Sequence, residues 1–97
     1  PRRPWLGLWS RDLNGHPIIA AVTPESPAER GGLRAGDMVL AIGGRNVTSL
    51  ADMYRKIWKH GEAGIEIPMH IMRDGRAMEL AVKSGDRTDF VRRKRSY

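Results

Sequence analysis

The sequence predicts an α+β fold in which a sheet curls into a small, partly open β-barrel or sandwich and carries two helices. Three features lead there. Short apolar runs are punctuated by Gly and Pro, one segment has the periodicity of an amphipathic helix, and one alternating stretch doubles back at Asp74-Gly75. At 97 residues the chain is long enough for one modest core and too short for a second fold beside it.

The first element lies close to the start, where Trp5-Leu6-Gly7-Leu8 leads into a strand through Trp9 and Ser10. A Gly between apolar residues ahead of a strand lets the backbone turn its N–H groups outward, which makes a pocket for an anion. Taken alone, the same four residues also read as an ordinary apolar strand with one Gly. Pro17-Ile18-Ile19-Ala20-Ala21-Val22, apolar and bounded by turn formers, reads as a buried strand. A short helix follows, with Ser26 as N-cap, Pro27 in the first helical position, Glu29 three after the cap, and Gly31 or Gly32 as its end. Met38-Val39-Leu40-Ala41-Ile42 is the next buried strand, closed by Gly43-Gly44.

The longer helix begins near Thr48 or Ser49 and stops at Gly61. Leu50, Met53, Tyr54, Ile57 and Trp58 follow the spacing of one helical face, while Arg55, Lys56 and Lys59 take the opposite, wet side. The apolar positions span roughly 140°, wider than a single packing seam needs, so one edge of the arc is available to something other than the core. Beyond it, Ile65, Ile67, Met69 and Ile71 alternate with Glu66, Pro68 and His70; Asp74-Gly75 supplies a tight turn, and Met78, Leu80 and Val82 alternate on the return. Pro68 cannot donate to a ladder and predicts an edge or a bulge.

Charge and composition bound the function classes. The formal net charge is +6. Four basic and no acidic side chains fall in residues 91–97, so everything before them is close to balanced. The expected division is a linker over residues 1–4, a folded domain over 5–85, and a solvated basic tail over 86–97. The absence of Cys excludes disulfide frameworks, Cys-based zinc sites and thiol nucleophiles. His16, His60 and His70 sit on different elements, so no metal site and no cofactor is expected. No apolar run approaches membrane-spanning length, and the chain opens on Pro-Arg-Arg-Pro without a signal-like segment, as an excised domain would.

The run from Pro24 to Gly44 resembles the GSPAxxAGLxxGDxIxxxxG stretch of PDZ domains, in particular those of HtrA/DegP-like bacterial serine proteases. The likeness continues through Val47-Thr48-Ser49-Leu50-Ala51-Asp52-Met53 and the turn Met72-Arg73-Asp74-Gly75-Arg76, and covers nearly everything from Trp5 to Gly85. It implies a PDZ-like fold in the circularly permuted bacterial topology, with the carboxylate-binding loop at the N-terminus. Trp5, Leu6, Gly7 and Leu8 match that loop, with Trp5 where Tyr is commoner. Arg3 matches a basic position that assists the carboxylate in some relatives. The resemblance further implies a groove formed by Trp9, Ser10, Leu50, Tyr54, Ile57 and Trp58, with Met53 in the core.

The implied partner is a C-terminal or unfolded polypeptide segment with an apolar last residue, added as a strand beside Leu8, Trp9 and Ser10. A serine protease domain absent from this chain, oligomerisation through that parent protein, and a place in the bacterial envelope or periplasm follow from the same resemblance. Two other classes compete. An enzyme reading lacks a Gly-x-Ser-x-Gly elbow or a Gly-Asp-Ser-Gly setting. A nucleic-acid or anionic-membrane module rests on the basic tail and the three Trp residues, and ranks below peptide binding because the folded part is nearly neutral. Asp37, after Gly36, is expected to make turn hydrogen bonds and no ligand contact.

Overall fold

The computed structural model describes residues 4–61 and 63–95, with side chains through residue 92. Strands β1 (Leu8–Leu13), β2 (His16–Val22), β3 (Met38–Ile42), β4 (Arg45–Asn46), β5 (Glu66–Arg73) and β6 (Arg76–Lys83) alternate with helices α1 (Pro27–Arg30), α2 (Leu50–Lys59) and α3 (Arg87–Arg95). The six strands form one antiparallel sheet in the order β1-β2-β3-β5-β6, with β4 paired to β3. The sheet does not close. Trp5 and Gly85 exchange both backbone hydrogen bonds at 2.9 Å, which draws the segment before β1 to the segment after β6. That bridge gives the partly open barrel its curl, and the loop and edge strand at the head of the chain are the permuted arrangement.

The hairpin follows its pattern. Ile67 pairs with Val82, Met69 with Leu80 and Ile71 with Met78, so one face of β5 and β6 enters the core. Pro68 nevertheless sits on an inner strand, and the register shift lies in β3, between Val39 and Ala41. It is tolerated because its carbonyl accepts from Gly43 at 2.8 Å, beyond the last residue of β3, so the missing N–H falls where the ladder ends.

Helices α1 and α2 use one capping device. Ser26 and Ser49 are the N-caps, accepting at Oγ from the N–H of Glu29 at 3.3 Å and Asp52 at 3.0 Å. Each acid then accepts from the residue before its cap, Glu29 from Glu25 at 2.8 Å and Asp52 from Thr48 at 3.0 Å. This is a capping box moved one residue outward. The Gly36-Asp37 turn has its own function: Asp37, buried, accepts from Arg34 N–H and forks onto Arg73 Nε and Nη2 at 2.9 and 2.8 Å. Burial pushes the Asp37 carboxyl up, but the hydrogen bonds from Arg73 and Arg34 outweigh it and hold the group below the usual carboxylate range. The pair staples the start of β3 to the end of β5 as a structural contact.

The end of the chain departs from expectation. Residues 87–95 form a helix where a solvated tail was predicted, giving three helices in place of two. Phe90 is only 9% exposed, because its ring packs on Trp5 with centroids 4.9 Å apart. Asp86 starts the helix by accepting the N–H groups of Thr88 and Asp89 at 2.7 and 3.1 Å.

Candidate peptide groove

The site is built on the loop ahead of β1. Gly7 has φ +76°, and a Cβ there would stand 2.5 Å from the Ser26 Cβ, so only Gly lets the loop lie against the N-cap of α1. Helix α1 holds the loop on both sides: Ala28 N–H donates to the Leu6 carbonyl at 2.8 Å, and Ser26 Oγ donates to the Gly7 carbonyl at 3.4 Å. Among the described residues, the N–H groups of Leu6 and Gly7 donate to nothing in the fold.

Leu8 adds a third donor by ladder geometry. Thr23 N–H reaches the Gly7 carbonyl at 2.8 Å, the bond that brackets the Leu8/Val22 pair. Leu8 is therefore at a non-hydrogen-bonded position of the β1–β2 ladder, and its N–H and C=O face away from β2. β1 is an edge of the sheet, so that side is open to another strand.

Helix α2 lies along this edge. Asp12 Oδ1 at the far end of β1 accepts the N–H of Leu50 at 2.6 Å, tying strand to helix start. Leu6, Met53 and Ile57 are core residues, with Leu8, Leu50 and Tyr54 packed half-buried against them. Ile57 is 2% exposed, so it supports the groove floor more than it lines an opening. Tyr54 stacks on Trp58 with ring centroids 5.9 Å apart, and burial pushes its hydroxyl up from the ordinary tyrosine range. Trp9, 61% exposed, and Trp58, 42% exposed, stand at the rim. Ser10 is half-buried beside the β1–β2 register shift, and its Oγ is buried without a partner among the described residues.

The sequence-expected residues divide clearly. Trp5, Leu6 and Gly7 form the loop, Leu8 opens the edge strand, and Trp9, Ser10, Leu50, Tyr54, Ile57 and Trp58 lie on that strand and the helix beside it. Trp5 turns its ring to Phe90, with the tip of the indole 3.0 Å from where a Gly7 Cβ would be. Arg3 lies outside the described residues. The Asp12 contact to α2 was missed because nothing local marks an acid in a strand as the partner of a helix thirty-eight residues on. A cavity of about 870 Å³ lies elsewhere, between α1, the end of β6 and α3, and is lined by charged side chains such as Arg30, Lys83 and Asp89.

The model of the PDZ domain family matches residues 4–84. A probable periplasmic serine protease of Haemophilus influenzae is 38% identical over 94 residues, covering 84% of this chain and 20% of that protein. A putative zinc metalloprotease of Brucella suis is 33% identical over 87 residues, 88% of this chain and 22% of the relative. The chain spans about a fifth of the length of these curated relatives. Among solved structures, the HtrA-type protease AlgW with a decapeptide superimposes with a TM-score of 0.79 at 25% identity, over 88% of this chain and 30% of the other. The HtrA3 PDZ domain bound to a phage-derived ligand gives 0.71 at 16% identity, over 84% and 85%.

Proposed function

Because the chain belongs to the PDZ domain family, we propose that it is a peptide-binding module that captures C-terminal or extended polypeptide segments by β-strand addition. It regulates, or delivers substrate to, a serine protease domain of a bacterial envelope protein. One observation carries the reading: the unpaired N–H groups of Leu6 and Gly7 and the outward Leu8 stand at the head of an open edge strand, beside the apolar face of α2.

In this reading a peptide carboxylate accepts from the N–H groups of Leu6, Gly7 and Leu8, and the peptide backbone pairs with β1. Leu6 and Leu8, over a floor that Ile57 backs from the core, receive the last side chain, which favours an apolar residue. Tyr54 and Leu50 meet the residues upstream, and Trp9 and Trp58 meet them from the rim. Backbone pairing supplies affinity with little sequence preference, so selectivity rests on these side chains. A short peptide loses its own freedom on docking, which sets the affinity near about 1 μM, or about −8 kcal/mol. The decapeptide complex of the HtrA-type neighbour and the periplasmic names of relatives support the assignment.

Fluorescence anisotropy with one apolar-ended peptide, as free acid and as C-terminal amide, tests it. Amidation should weaken binding at least about tenfold, since it removes the charge that the loop donors receive. Equal affinity would refute carboxylate capture.

A further inference from the structure

Behind α2, on the side away from β1, a second hollow of about 520 Å³ lies between the helix and the β3–β4 turn. Four cations line it, Arg45 from β4 and Arg55, Lys56 and Lys59 from α2, together with His60. Asp52 is its only acid among the described residues, leaving three positive charges in excess. Asp52 is already committed: Lys56 Nζ donates to both its oxygens at 2.6 Å, and Arg55 stands 3.6 Å away. Among the described residues, Arg45 and Lys59 have no carboxylate partner.

The wall of this hollow depends on a glycine. Gly43 has φ +57°, and a Cβ there would lie 2.8 Å from His60 Cε1 and 2.9 Å from Nδ1. The bare backbone lets the imidazole close against the turn and complete a concave site in place of a flat charged helix face. Lysines in a last helical turn complement the helix dipole, which accounts for Lys56 and Lys59 alone. It does not account for Arg45 arriving from the sheet, nor for the concavity.

We propose that this hollow binds a phosphoryl group, at a site separate from the peptide groove and on the opposite side of the same helix. A single carboxylate would match one Arg fork and leave the rest of the charge unmet. A phosphoryl group brings up to two charges and three acceptor oxygens, matching converging guanidinium and ammonium donors. A nucleic-acid track is disfavoured because the described lining holds no Phe, Tyr or Trp to stack successive bases and forms one compact hollow.

Amide NMR titration of the whole chain with inorganic pyrophosphate at physiological salt tests this. The expected result is saturable shifts confined to residues 43–45 and 55–60, with a dissociation constant of about 1 mM or below, the range of a few exposed charge-assisted contacts. The double variant R45A/K59A, at two exposed positions, should weaken binding about tenfold while its remaining amide spectrum and its affinity for the groove peptide stay unchanged. Non-saturating shifts, or shifts spread into α3, would overturn the site as diffuse electrostatics. Poly-glutamate binding as tightly to the same residues would overturn the phosphoryl assignment. Sedimentation with phosphatidylcholine vesicles doped with phosphatidic acid separates the sources. Co-sedimentation lost in the double variant supports a lipid headgroup, and pyrophosphate saturation without vesicle binding supports a soluble phosphate.

Discussion

On the face of α2 turned to β1, Met53 and Ile57 are sealed in the core while Leu50 and Tyr54 stay half-buried beside an unpaired strand edge. On its other face, Asp52 is saturated with donors, and two of the nearby cations have no partner among the described residues. The first face is graded from burial to exposure along a continuous apolar surface, so the proposed reading assigns folding and ligand contact to different residues of one stripe. The second is graded in charge, with one carboxylate consuming part of a cationic set. A helix of ten residues thus carries two surfaces whose unmet capacity differs in kind: apolar area and strand-pairing groups on one side, positive charge on the other.

The comparison breaks most visibly at Ile57. Ile57→Asp places a charge in a fully packed site, so it should cost about 4 kcal/mol or more and unfold much of the population. Urea denaturation followed by circular dichroism measures this, and a native-like midpoint would show that Ile57 belongs to the groove and not the core. Tyr54→Asp is the sharper probe of the same face. With its ring only half-buried, the variant should keep its fold and lose at least about tenfold in peptide affinity. Undiminished binding in a folded Tyr54→Asp protein would place the groove away from α2.

These two residues also mark what sequence alone conveys. Periodicity placed Leu50, Met53, Tyr54, Ile57 and Trp58 on one face, but all five satisfy the helical spacing equally. Which of them is sealed depends on what the sheet brings opposite, and Leu6 and Val82 are distant in the chain. The hairpin was legible because its alternation and its Asp74-Gly75 turn are local, as were the Ser26 and Ser49 caps. Pro68 misled because its exception arises from Gly43, across a strand pairing that no local signal announces. The C-terminal helix was hidden for a related reason: a strongly basic segment reads as solvated, and the Phe90 anchor is meaningful only once the Trp5–Gly85 bridge has brought Trp5 within reach. Of the proposed peptide site, the residues assigned to the loop and both walls come from family likeness. The basic hollow was not, because Arg45 joins the helix cations only through the fold.

The polar face yields the smaller effect, and its sign is set by Asp52. Hydrogen bonds from Lys56 and from the Thr48 backbone, against some burial, bring the Asp52 carboxyl down from 3.8 to about 2. A group with a depressed folded-state pKa stabilises the fold fully above its unfolded value, and that stabilisation disappears as pH falls through the folded value. Asp52→Asn keeps an acceptor for the Thr48 N–H but removes the charge facing Lys56. At neutral pH the variant should melt a few degrees lower, roughly 5 °C. The gap between wild type and variant should hold down to about pH 4 and then close toward pH 2, where the wild-type carboxyl itself becomes protonated. Calorimetric melts across that range decide it. A gap unchanged at pH 2 would mean that Asp52 acts through hydrogen-bond geometry alone, and the contrast between an apolar face and an electrostatically matched one would no longer describe α2.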